Sequence, residues 1–450
     1  MKIVIAGIGK LGEYLAKSLV KEGHAVTLID VDFTTNQDII NNEDLNYISG
    51  NALDVAVLKE AGVGESDLLI SVMEQDEQNT MCCLLGKKLG AKHTIARIRT
   101  PEYSNSIELL KEDLGLTMTI NPEKLTAQHI ARILSIPSAL NATIFFKGRI
   151  QMISLKVKDK NYLDGLTIAN LNKKLAGSII ICAIERDNQT IIPRGNTKIQ
   201  ENDILHVTGT PANINEFLKL VDLDDKTRKV IISGGSATAV YLSRYLTEMG
   251  MAVKLIELNE QRCEFLSEHL PKTLIINGDA SDQELLYEEG IDECDAFVSL
   301  TSIDEENIVY SMFAAMQKVP KIITKVNHIN LDGIIEKANI DTVVTPHKIA
   351  TNIIVKYVRA MQYGENSSCE SIYKFDDDKF EMVEFKVTSK FKKLNINIKD
   401  IDLKDGVLII AILRGNNIIF PSGNDLIKEN DTIVIIDNES KIQELNDILV

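Results

Sequence analysis

The chain has 450 residues and a formal net charge of −16, from 49 Lys and Arg against 65 Asp and Glu. Nucleic acid and anionic lipid draw much of their affinity for proteins from clustered Lys and Arg, so this charge excludes nucleic acid as a partner. Hydrophobic residues make up 44% and charged residues 25% of the chain, an ordinary globular composition that allows sizeable cores.

Cysteine usage and hydropathy indicate where the protein works. The six cysteines are scattered without CxxC spacing, so neither a disulfide framework nor a thiolate zinc site is predicted. Met1 leads directly into the strand-like KIVIAG without a signal-peptide pattern. No apolar run approaches the ~18 residues that span a bilayer. We expect a cytoplasmic protein that does not insert directly into the membrane.

A glycine-rich turn opens the chain, in IAGIGKLGEYLAKSLVKEGHAVTLID at residues 5–30. The GxGxxG pattern is informative here because it follows a predicted strand and begins a predicted helix. The first glycine permits a tight turn, the second lets the backbone approach a pyrophosphate, and the third lets the helix pack on the strand. The helix N-terminus offers N–H groups to phosphate. The predicted loop comprises Gly7, Ile8, Gly9, Lys10, Leu11 and Gly12.

Asp30 ends the next predicted strand, AVTLID. A carboxylate at this position accepts hydrogen bonds from the hydroxyls of an adenosine ribose and repels the extra phosphate of NADP. The sequence therefore favours NAD or an adenine nucleotide.

Further candidates follow later strands of the same predicted parallel sheet. The carboxyl ends of such strands form the edge where ligands bind. Arginines in HTIARIR alternate onto one side of a strand, where they either neutralise phosphate or pair with a nearby carboxylate. These candidates are Asn51 and Ala52 after LNYISG, Met73 and Glu74 after DLLISV, and Arg97 and Arg99 in HTIARIR.

Two further kinds of segment complete the first half of the chain. The stretch GSIIICAIERDNQTIIPRGNTKIQENDILHVTG is typical of a β-rich α+β module, in which the acids Glu201 to Asp203 fix a hairpin rather than catalyse.

The helices predicted at 121–134 and, in the second half, at 345–361 start with Pro at the first helical position. Their apolar content indicates either packing between subunits or connecting helices that cap the sheet.

The whole pattern occurs twice. ISGGSATAVYLSRYLTEMGMAVKLIE (232–257) repeats the opening stretch, and GDASDQELLYEEGIDECDAFVSL (278–300) repeats GNALDVAVLKEAGVGESDLLISV (50–72). The fold class is therefore α/β, with duplicated Rossmann-like doubly wound parallel sheets, each followed by a small β-rich α+β domain. Acidic or polar stretches at 221–229 and 364–379 are predicted linkers. The predicted domains are 1–122, 141–222, 228–345 and 369–450.

The second loop departs from the first. Ser236 replaces the glycine that admits pyrophosphate, and Ala239 replaces the third glycine, which the motif tolerates. Both a second nucleotide site and an empty structural copy are compatible with this pattern. The candidates here are Gly234, Gly235, Ser236, Ala237, Thr238 and Glu257.

The sequence shows no set of residues that would catalyse a reaction. A dehydrogenase needs a general acid or base beside the nicotinamide, yet the seven histidines show no ligand-like pairing. Cys82 and Cys83 are neighbours on a predicted helix and face different directions, which indicates core positions. We predict that the chain is not an enzyme; the alternative is an NAD-dependent oxidoreductase whose catalytic residues do not stand out in the sequence.

These motifs together resemble the TrkA family of potassium-uptake regulators. The resemblance rests on GIGKLG, HAVTLID, GNALD, DLLISV, DEQN, ARIRTPEY and the PRG and END pair, and it covers essentially the whole chain. The family is built from tandem regulator-of-potassium-conductance (RCK) units, each with an N-terminal nucleotide-binding domain and a small C-terminal domain.

The resemblance implies a function. It implies a peripheral regulator at the inner face of the cell membrane that assembles, as a tetramer, into a ring under a Trk-type potassium-conducting membrane protein. NAD(H) and ATP or ADP would be its ligands, and their exchange would gate potassium flow. The matching positions are Gly7 to Leu11, Asp30, Met73, Glu74 and Arg99, with Gly234 to Thr238 and Glu257 as the second set.

Overall fold

In the computed structural model, the described residues are 1–32, 45–158, 162–175, 177–187, 189–327, 340, 342–363, 369–375, 380–437, 442 and 444–450. They form two compact units. The first combines Met1–Ala131 with Arg228–Val355, and the second combines Arg132–Thr227 with Lys356–Val450. Each unit therefore contains equivalent parts of both halves of the duplicated sequence.

The first α/β domain contains a six-stranded parallel sheet. Its strands are β1 (Lys2–Ala6), β2 (Ala25–Asp30), β3 (Leu45–Ser49), β4 (Leu68–Ser71), β5 (His93–Arg97) and β6 (Met118–Ile120). Its helices are α1 (Lys10–Lys21), α2 (Val55–Glu60), the 3₁₀ turn Val63–Glu65, α3 (Asp76–Leu89), α4 (Pro101–Leu110) and α5 (Pro122–Ser135).

The strand order is β3-β2-β1-β4-β5-β6. Every residue of β4 is buried, as expected for a parallel strand whose sheet is covered on both faces. Helix α1 buries the predicted stripe of Leu11, Leu15 and Leu19. The order reverses between β1 and β4, which places a ligand crevice at the carboxyl ends of these two strands.

The first C-terminal domain is an antiparallel sheet in the order β10-β9-β11-β8-β7. Its elements are β7 (Asn141–Phe145), the 3₁₀ turn Phe146–Gly148, β8 (Ile150–Lys156), α6 (Ile168–Lys174), β9 (Ile179–Arg186), β10 (Gln189–Ile191), β11 (Ile204–Gly209) and α7 (Pro211–Leu220). The predicted β-rich α+β module is confirmed.

The second α/β domain repeats the first. Its elements are β12 (Lys229–Ser233), α8 (Ala237–Glu248), β13 (Ala252–Glu257), α9 (Glu260–His269), β14 (Leu274–Asn277), α10 (Gln283–Glu288), β15 (Ala296–Ser299), α11 (Asp304–Met316), β16 (Lys321–Lys325), β17 (Thr342–Val344) and α12 (Pro346–Tyr363). The sheet order is β14-β13-β12-β15-β16-β17, the same topology as in the first domain. The predicted duplicated fold class is confirmed.

The second C-terminal domain has the sheet order β18-β19-β22-β20-β21. Its strands are β18 (Cys369–Phe375), β19 (Phe380–Lys386), β20 (Val407–Arg414), β21 (Asn417–Ile419) and β22 (Thr432–Asp437), with 3₁₀ turns at Ile398–Asp400 and Leu445–Ile448. Strand β18 lies inside the stretch 364–379 that the sequence predicts as a linker. That prediction is wrong for Cys369–Phe375, whose backbone pairs antiparallel with β19. The rest of the stretch lies outside the described residues.

Within the first unit, the helices that follow each sheet cross to the other α/β domain. Asn121 Nδ2, just before α5, donates to Tyr241 Oη at 3.1 Å, and Gln128 Nε2 on α5 donates to Tyr245 Oη at 3.2 Å. In the opposite direction, His347 on α12 stacks on Tyr14 of α1. These contacts join two halves of one chain, an arrangement that neither sequence interpretation of the helices anticipated.

Within the second unit, the two C-terminal domains share a core. Phe145, Ile150 and Met152 of the first domain pack with Phe380 and Met382 of the second, all fully or almost fully buried. Each sheet keeps a separate core on its other face. The inner strands β8, β11, β19 and β22 are therefore buried on both faces.

Candidate functional site

Two glycines of the first loop are required by the fold. Gly7 has a φ of +97°, and a Cβ there would lie 2.9 Å from the backbone nitrogen of Met73. A Cβ on Gly12 would lie 2.0 Å from the carbonyl oxygen of Gly7. Turn geometry and close packing of α1 on the sheet thus account for both residues.

Gly9 is different, because neither its conformation nor its surroundings demand glycine. Its φ of −67° and ψ of −177° are ordinary extended values, and a Cβ there would have no atom of the described residues within 4 Å. Gly9 is also the N-cap of α1, and no side chain in the described part of the chain caps this end of the helix. The first turn of α1 therefore presents N–H groups beside open space, as in the phosphate sites found at helix N-termini.

Asp30 lies next to this loop. Its Oδ2 accepts from the Ile8 backbone N–H at 2.6 Å and its Oδ1 from that of Asp32 at 3.2 Å. The following residue, Val31, is 71% exposed. An apolar side chain beside Asp30 offers a surface for a flat base. Sequence reasoning missed Val31, although Leu258 occupies the same position after Glu257 and is 69% exposed.

Asn79 holds the turn after β4, which contains Met73. Its Oδ1 accepts from the Met73 N–H at 2.7 Å, and its Nδ2 donates to the carbonyls of Met73 and Arg97, both at 3.0 Å. Asn307 makes the matching bonds to Thr301 and Lys325. Sequence reasoning missed this residue, and the signal was the recurrence of DEQN (76–79) as DEEN (304–307).

The two arginines at the end of β5 are held by neighbouring groups. A terminal nitrogen of Arg97 donates to the Met73 carbonyl at 2.8 Å, and burial lowers the pKa of its guanidinium. Arg99 Nε donates to Glu123 Oε1 at 2.8 Å, so in this structure Arg99 pairs with a nearby carboxylate, and a role in neutralising phosphate stays a prediction. The carboxylate of Asp76 accepts from the Arg99 backbone N–H.

Glu74 and Arg99 also line a cleft with the second loop. This cleft, of about 430 Å³, lies between the two α/β domains of the first unit. Ala237 and Arg262 of the second domain form its opposite side. Residues that the sequence assigns to two separate sites thus meet in one place.

Lys10, the first residue of α1, lies near several other charged groups. Burial, together with the positive charges of Lys10, Arg97 and Arg99, lowers the pKa of His347 to about 4, and Asp304 opposes the shift. Burial also lowers the pKa of Lys325, with Asp304 and Glu123 opposing the shift and Arg99 and Lys10 adding to it. Lys10, Arg97 and Arg99 would attract a phosphate bound at this end of α1, and the carboxylates of Asp304 and Glu123 offset part of their charge.

Asn51 and Ala52 take structural positions at the edge of the sheet. Asn51 Oδ1 accepts from the Leu53 N–H at 2.9 Å and closes the turn before α2. The side chain of Ala52 is buried in the core of the domain, so only its backbone is available to a ligand.

The second loop is closed by its own groups. Gly234 has the same strained turn as Gly7, with a φ of +92°. Glu257 Oε2 accepts from the Gly235 N–H at 2.6 Å, as Asp30 does in the first loop. Ser236 differs from Gly9, because its hydroxyl caps α8 by accepting from the Ala239 N–H. Thr238, in the first turn of α8, is buried.

The aspartates of the END stretches at 201–203 and 429–431 fix their turns, since Asp203 accepts from the Gln200 N–H and Asp431 from the Lys428 N–H, both at 2.8 Å. Glu201 and Glu429 are exposed. Asp203 is buried and accepts two hydrogen bonds from Arg186, at 2.8 Å each. Asp431 makes the same paired contact with Arg414. The neighbouring Asn430 has a φ of +68°, a conformation that asparagine tolerates better than most residues.

A serine, histidine and glutamate form a chain of contacts in the first C-terminal domain. Ser154 Oγ lies 2.9 Å from His206 Nδ1, and His206 Nε2 lies 2.6 Å from Glu185 Oε1. Ser154 and His206 are buried, and the ring packs edge-on against Phe380. Because Ser154 and His206 are both buried, we interpret these contacts as structural.

The vicinal cysteines lie in the core, as predicted. Burial raises the pKa of Cys82 to about 11 and that of Cys83 well above its ordinary value. Thiols with such pKa values are poor nucleophiles. Among the described residues, no group of His, Cys, Asp and Glu is arranged to hold a metal ion.

Comparison with known proteins agrees with the doubled architecture. The TrkA-N domain family matches residues 3–122 and 230–346, and the TrkA-C domain family matches 152–222 and 382–450. The Trk system potassium uptake protein TrkA homolog of Archaeoglobus fulgidus is 32% identical over 448 residues, covering 100% of both chains. The chain belongs to the TrkA family. In agreement with the prediction of a non-enzymatic protein, TrkA relatives are named as potassium uptake proteins.

Solved structures resemble the TrkA fold described above. The GsuK channel bound to NAD has a TM-score of 0.65 and 18% identity, and the match covers 97% of this chain and 76% of that one. GsuK bound to ADP has a TM-score of 0.51 and 15% identity, covering 79% and 69%. At these identities the likeness supports the RCK-type fold alone. Among the described residues of this TrkA-family chain, no helix is long and apolar enough to cross a membrane.

Proposed function

We propose that this chain is the peripheral regulatory subunit of a Trk-type potassium uptake system. It binds NAD(H) or ATP/ADP at the first glycine loop and works at the inner face of the cell membrane. Nucleotide exchange changes the conformation of an oligomeric ring, a tetramer, and so gates potassium flux through a potassium-conducting membrane protein.

The observation that carries the nucleotide part is the uncapped helix end at Gly9. The fold explains the other two glycines and leaves Gly9 without a structural reason, since its Cβ position is open. A pyrophosphate lying against this backbone supplies the reason, because any side chain would occupy its place. The cations around Lys10 favour the same ligand class.

The remaining residues of the first site take roles that follow from their positions. Gly7 to Leu11 bind phosphate through backbone N–H groups and the Lys10 ammonium. Asp30 accepts from ribose hydroxyls, Val31 covers the base, and Asn51 flanks it. Met73 and Glu74 follow β4 and border the crevice, and Arg99 links it to the cleft between the domains. A structurally similar protein has been solved with NAD and with ADP.

The link between binding and gating rests on the contacts between the two α/β domains. Helix α12 of the second domain stacks on Tyr14 of α1, and α1 begins at the proposed phosphate site. A ligand that binds one arrangement of these helices better than another shifts the population between them. Repeating this shift around a ring changes the ring's shape and thereby acts on the membrane partner.

An exposed apolar face supports the oligomer. Val309, Met312 and Met316 lie along the outer side of α11, and Met316 is 75% exposed. Tyr287 on the adjacent α10 is also exposed and packs edge-on against Phe313. Contiguous apolar surface of this kind marks association sites. We assign it to contact with a second copy of the chain.

The test combines binding with transport. NADH, ATP and ADP are titrated calorimetrically into the purified wild-type chain and into Gly9→Asp, whose carboxylate would repel phosphate. We expect the variant to bind at least tenfold more weakly, about 1.4 kcal/mol or more. In vesicles containing a Trk-type membrane protein, nucleotide should change potassium flux with wild-type chain present and not with the variant. Unchanged nucleotide affinity in Gly9→Asp would refute the proposed site.

A further inference from the structure

We infer that the second glycine loop is closed by its own side chains and takes no dinucleotide, so that each chain binds a single nucleotide, at the first loop. The inference rests on the proposed function and assigns the duplicated motif a different role in each half. Three residues of the second half carry it: Ser236, Arg262 and Leu266.

The Ser236 side chain takes the place at the start of α8 where a phosphate would otherwise bind. The backbone at Ser236 has a φ of −66° and a ψ of 168°, nearly the same as Gly9 with −67° and −177°. The two loops therefore have the same course and differ in the side chain. At α8 the Ser236 hydroxyl accepts from the Ala239 N–H at 3.4 Å, whereas among the residues that the structure describes no side chain caps α1. The serine thus occupies the position in which phosphate oxygens bind at helix N-termini.

Helix α9 holds the second loop from the other side. Arg262 Nε donates to the Gly235 carbonyl at 2.8 Å. A Cβ on Gly235 would lie 2.6 Å from Leu266 Cδ1 and 2.8 Å from Glu257 Oε2. The loop is packed against α9, so moving it to admit a pyrophosphate would break the Arg262 bond.

The two loops also differ in charge. Lys10 opens α1, whereas the uncharged Ala237 opens α8. Arg99, Arg244 and Arg262 line the nearby cleft, and so do the carboxylates of Glu74, Asp76 and Glu77. Arg262 is already bound to the Gly235 carbonyl of the second loop, and its guanidinium lies 4.7 Å from the centroid of the Phe265 ring.

A matched pair of aspartate variants tests the inference. Gly9→Asp and Ser236→Asp place the same carboxylate at equivalent positions, and aspartate is as good an N-cap as serine, so both variants should fold. Calorimetric titration of the full chain with NADH, and separately with ATP, gives the number of sites. We expect one equivalent for wild type, at least tenfold weaker binding for Gly9→Asp, and affinity within twofold of wild type for Ser236→Asp.

The outcomes separate this inference from the proposed function. Two equivalents in wild type, or loss of an equivalent on Ser236→Asp, would overturn the inference and leave nucleotide binding by the chain intact. No binding of either nucleotide to wild type would refute the proposed function and the single-site assignment together. Unfolding temperatures of both variants, expected to match wild type, establish that lost binding reflects the loop rather than a failure to fold.

Discussion

At the scale of single residues, three glycines that form one motif have separable physical roles. Gly12 approaches the Gly7 carbonyl so closely that any Cβ would overlap it, whereas Gly9 faces open space. A stability measurement therefore distinguishes the glycine required by packing from the glycine kept free for a ligand. Binding experiments alone do not, since both substitutions are expected to weaken binding.

Serine substitutions make this distinction with one and the same side chain. Gly12→Ser should destabilise the first α/β domain by about 2 kcal/mol or more, because overlap must be relieved by shifting backbone. Gly9→Ser should change stability by less than about 0.5 kcal/mol, since Ser and Gly are both accepted at N-caps. Thermal unfolding followed by circular dichroism, with hydrogen exchange of β1 and β4, measures both. Equal destabilisation by the two substitutions would contradict the assignment.

His347 gives the protein a pH dependence with a definite sign. Burial and nearby cations hold its pKa at about 4 in the folded chain, below its ordinary value of 6.5. The unfolded chain then binds more protons between these two pH values, so stability must fall as pH falls from 6.5 toward 4. Well above pH 6.5 the ring is neutral in both states and contributes no pH dependence.

Replacing this histidine should flatten that part of the stability curve. We expect wild type to lose on the order of 2 kcal/mol between pH 6.5 and 4 through this residue, and His347→Gln to lose correspondingly less. Unfolding midpoints measured across this range give the comparison. Measurements between about pH 8 and 9, where the His347 ring is neutral in both folded and unfolded chains, supply the control, and the two curves should run parallel there. Curves that also run parallel between pH 6.5 and 4 would disprove the effect.

At the scale of elements, Asn79 and Asn307 have the same structural role in the two halves. The buried side-chain amide of each asparagine makes hydrogen bonds to backbone groups of the turn that follows a central strand, β4 or β15. Only the β4 turn borders the proposed nucleotide site. Equal structural roles with unequal functional roles make these two residues internal controls for each other.

Alanine at each asparagine separates the two effects. Asn79→Ala and Asn307→Ala should each cost about 1–3 kcal/mol of stability, because buried backbone groups lose their partners. Nucleotide affinity should fall in Asn79→Ala, whose Met73 turn is released, and stay within twofold of wild type in Asn307→Ala. Denaturant unfolding and calorimetric titration provide the two readouts. A similar loss of affinity in both variants would show that general loosening, rather than the Met73 turn, controls binding.

The elements also show what the sequence can and cannot predict. Strand order and the glycine loops follow from local patterns, since hydrophobic period and turn chemistry depend on nearby residues. The pairing of Arg99 with Glu123 and the stacking of His347 on Tyr14 depend on how distant helices cross, which no local pattern encodes. Strand β18 escaped prediction because its acidic surroundings resemble a linker, while its backbone is paired by β19.

At the scale of the whole molecule, duplication lets the two copies diverge. The first keeps an open loop with Lys10, and the second keeps the same backbone course while Ser236 caps its helix. The copies also differ on their outer helices. Positions on α11 that carry Val309, Met312 and Met316 correspond to Met81, Leu84 and Lys88 on α3. The second copy therefore presents the more apolar face.

That face predicts how the chain associates. Burying three such side chains against another copy is worth several kcal/mol, at about 1.5–3 kcal/mol for each side chain fully buried, so glutamates there should weaken assembly. We expect Met312→Glu combined with Met316→Glu to lower the molar mass measured by light scattering at micromolar concentration, with the fold retained by circular dichroism. Met249→Glu, at an exposed methionine on the turn after α8, is the matched control and should leave the mass unchanged. If the double variant keeps the wild-type mass, the association surface lies elsewhere on the chain, because two buried charges at a real contact cannot be accommodated without loss of affinity.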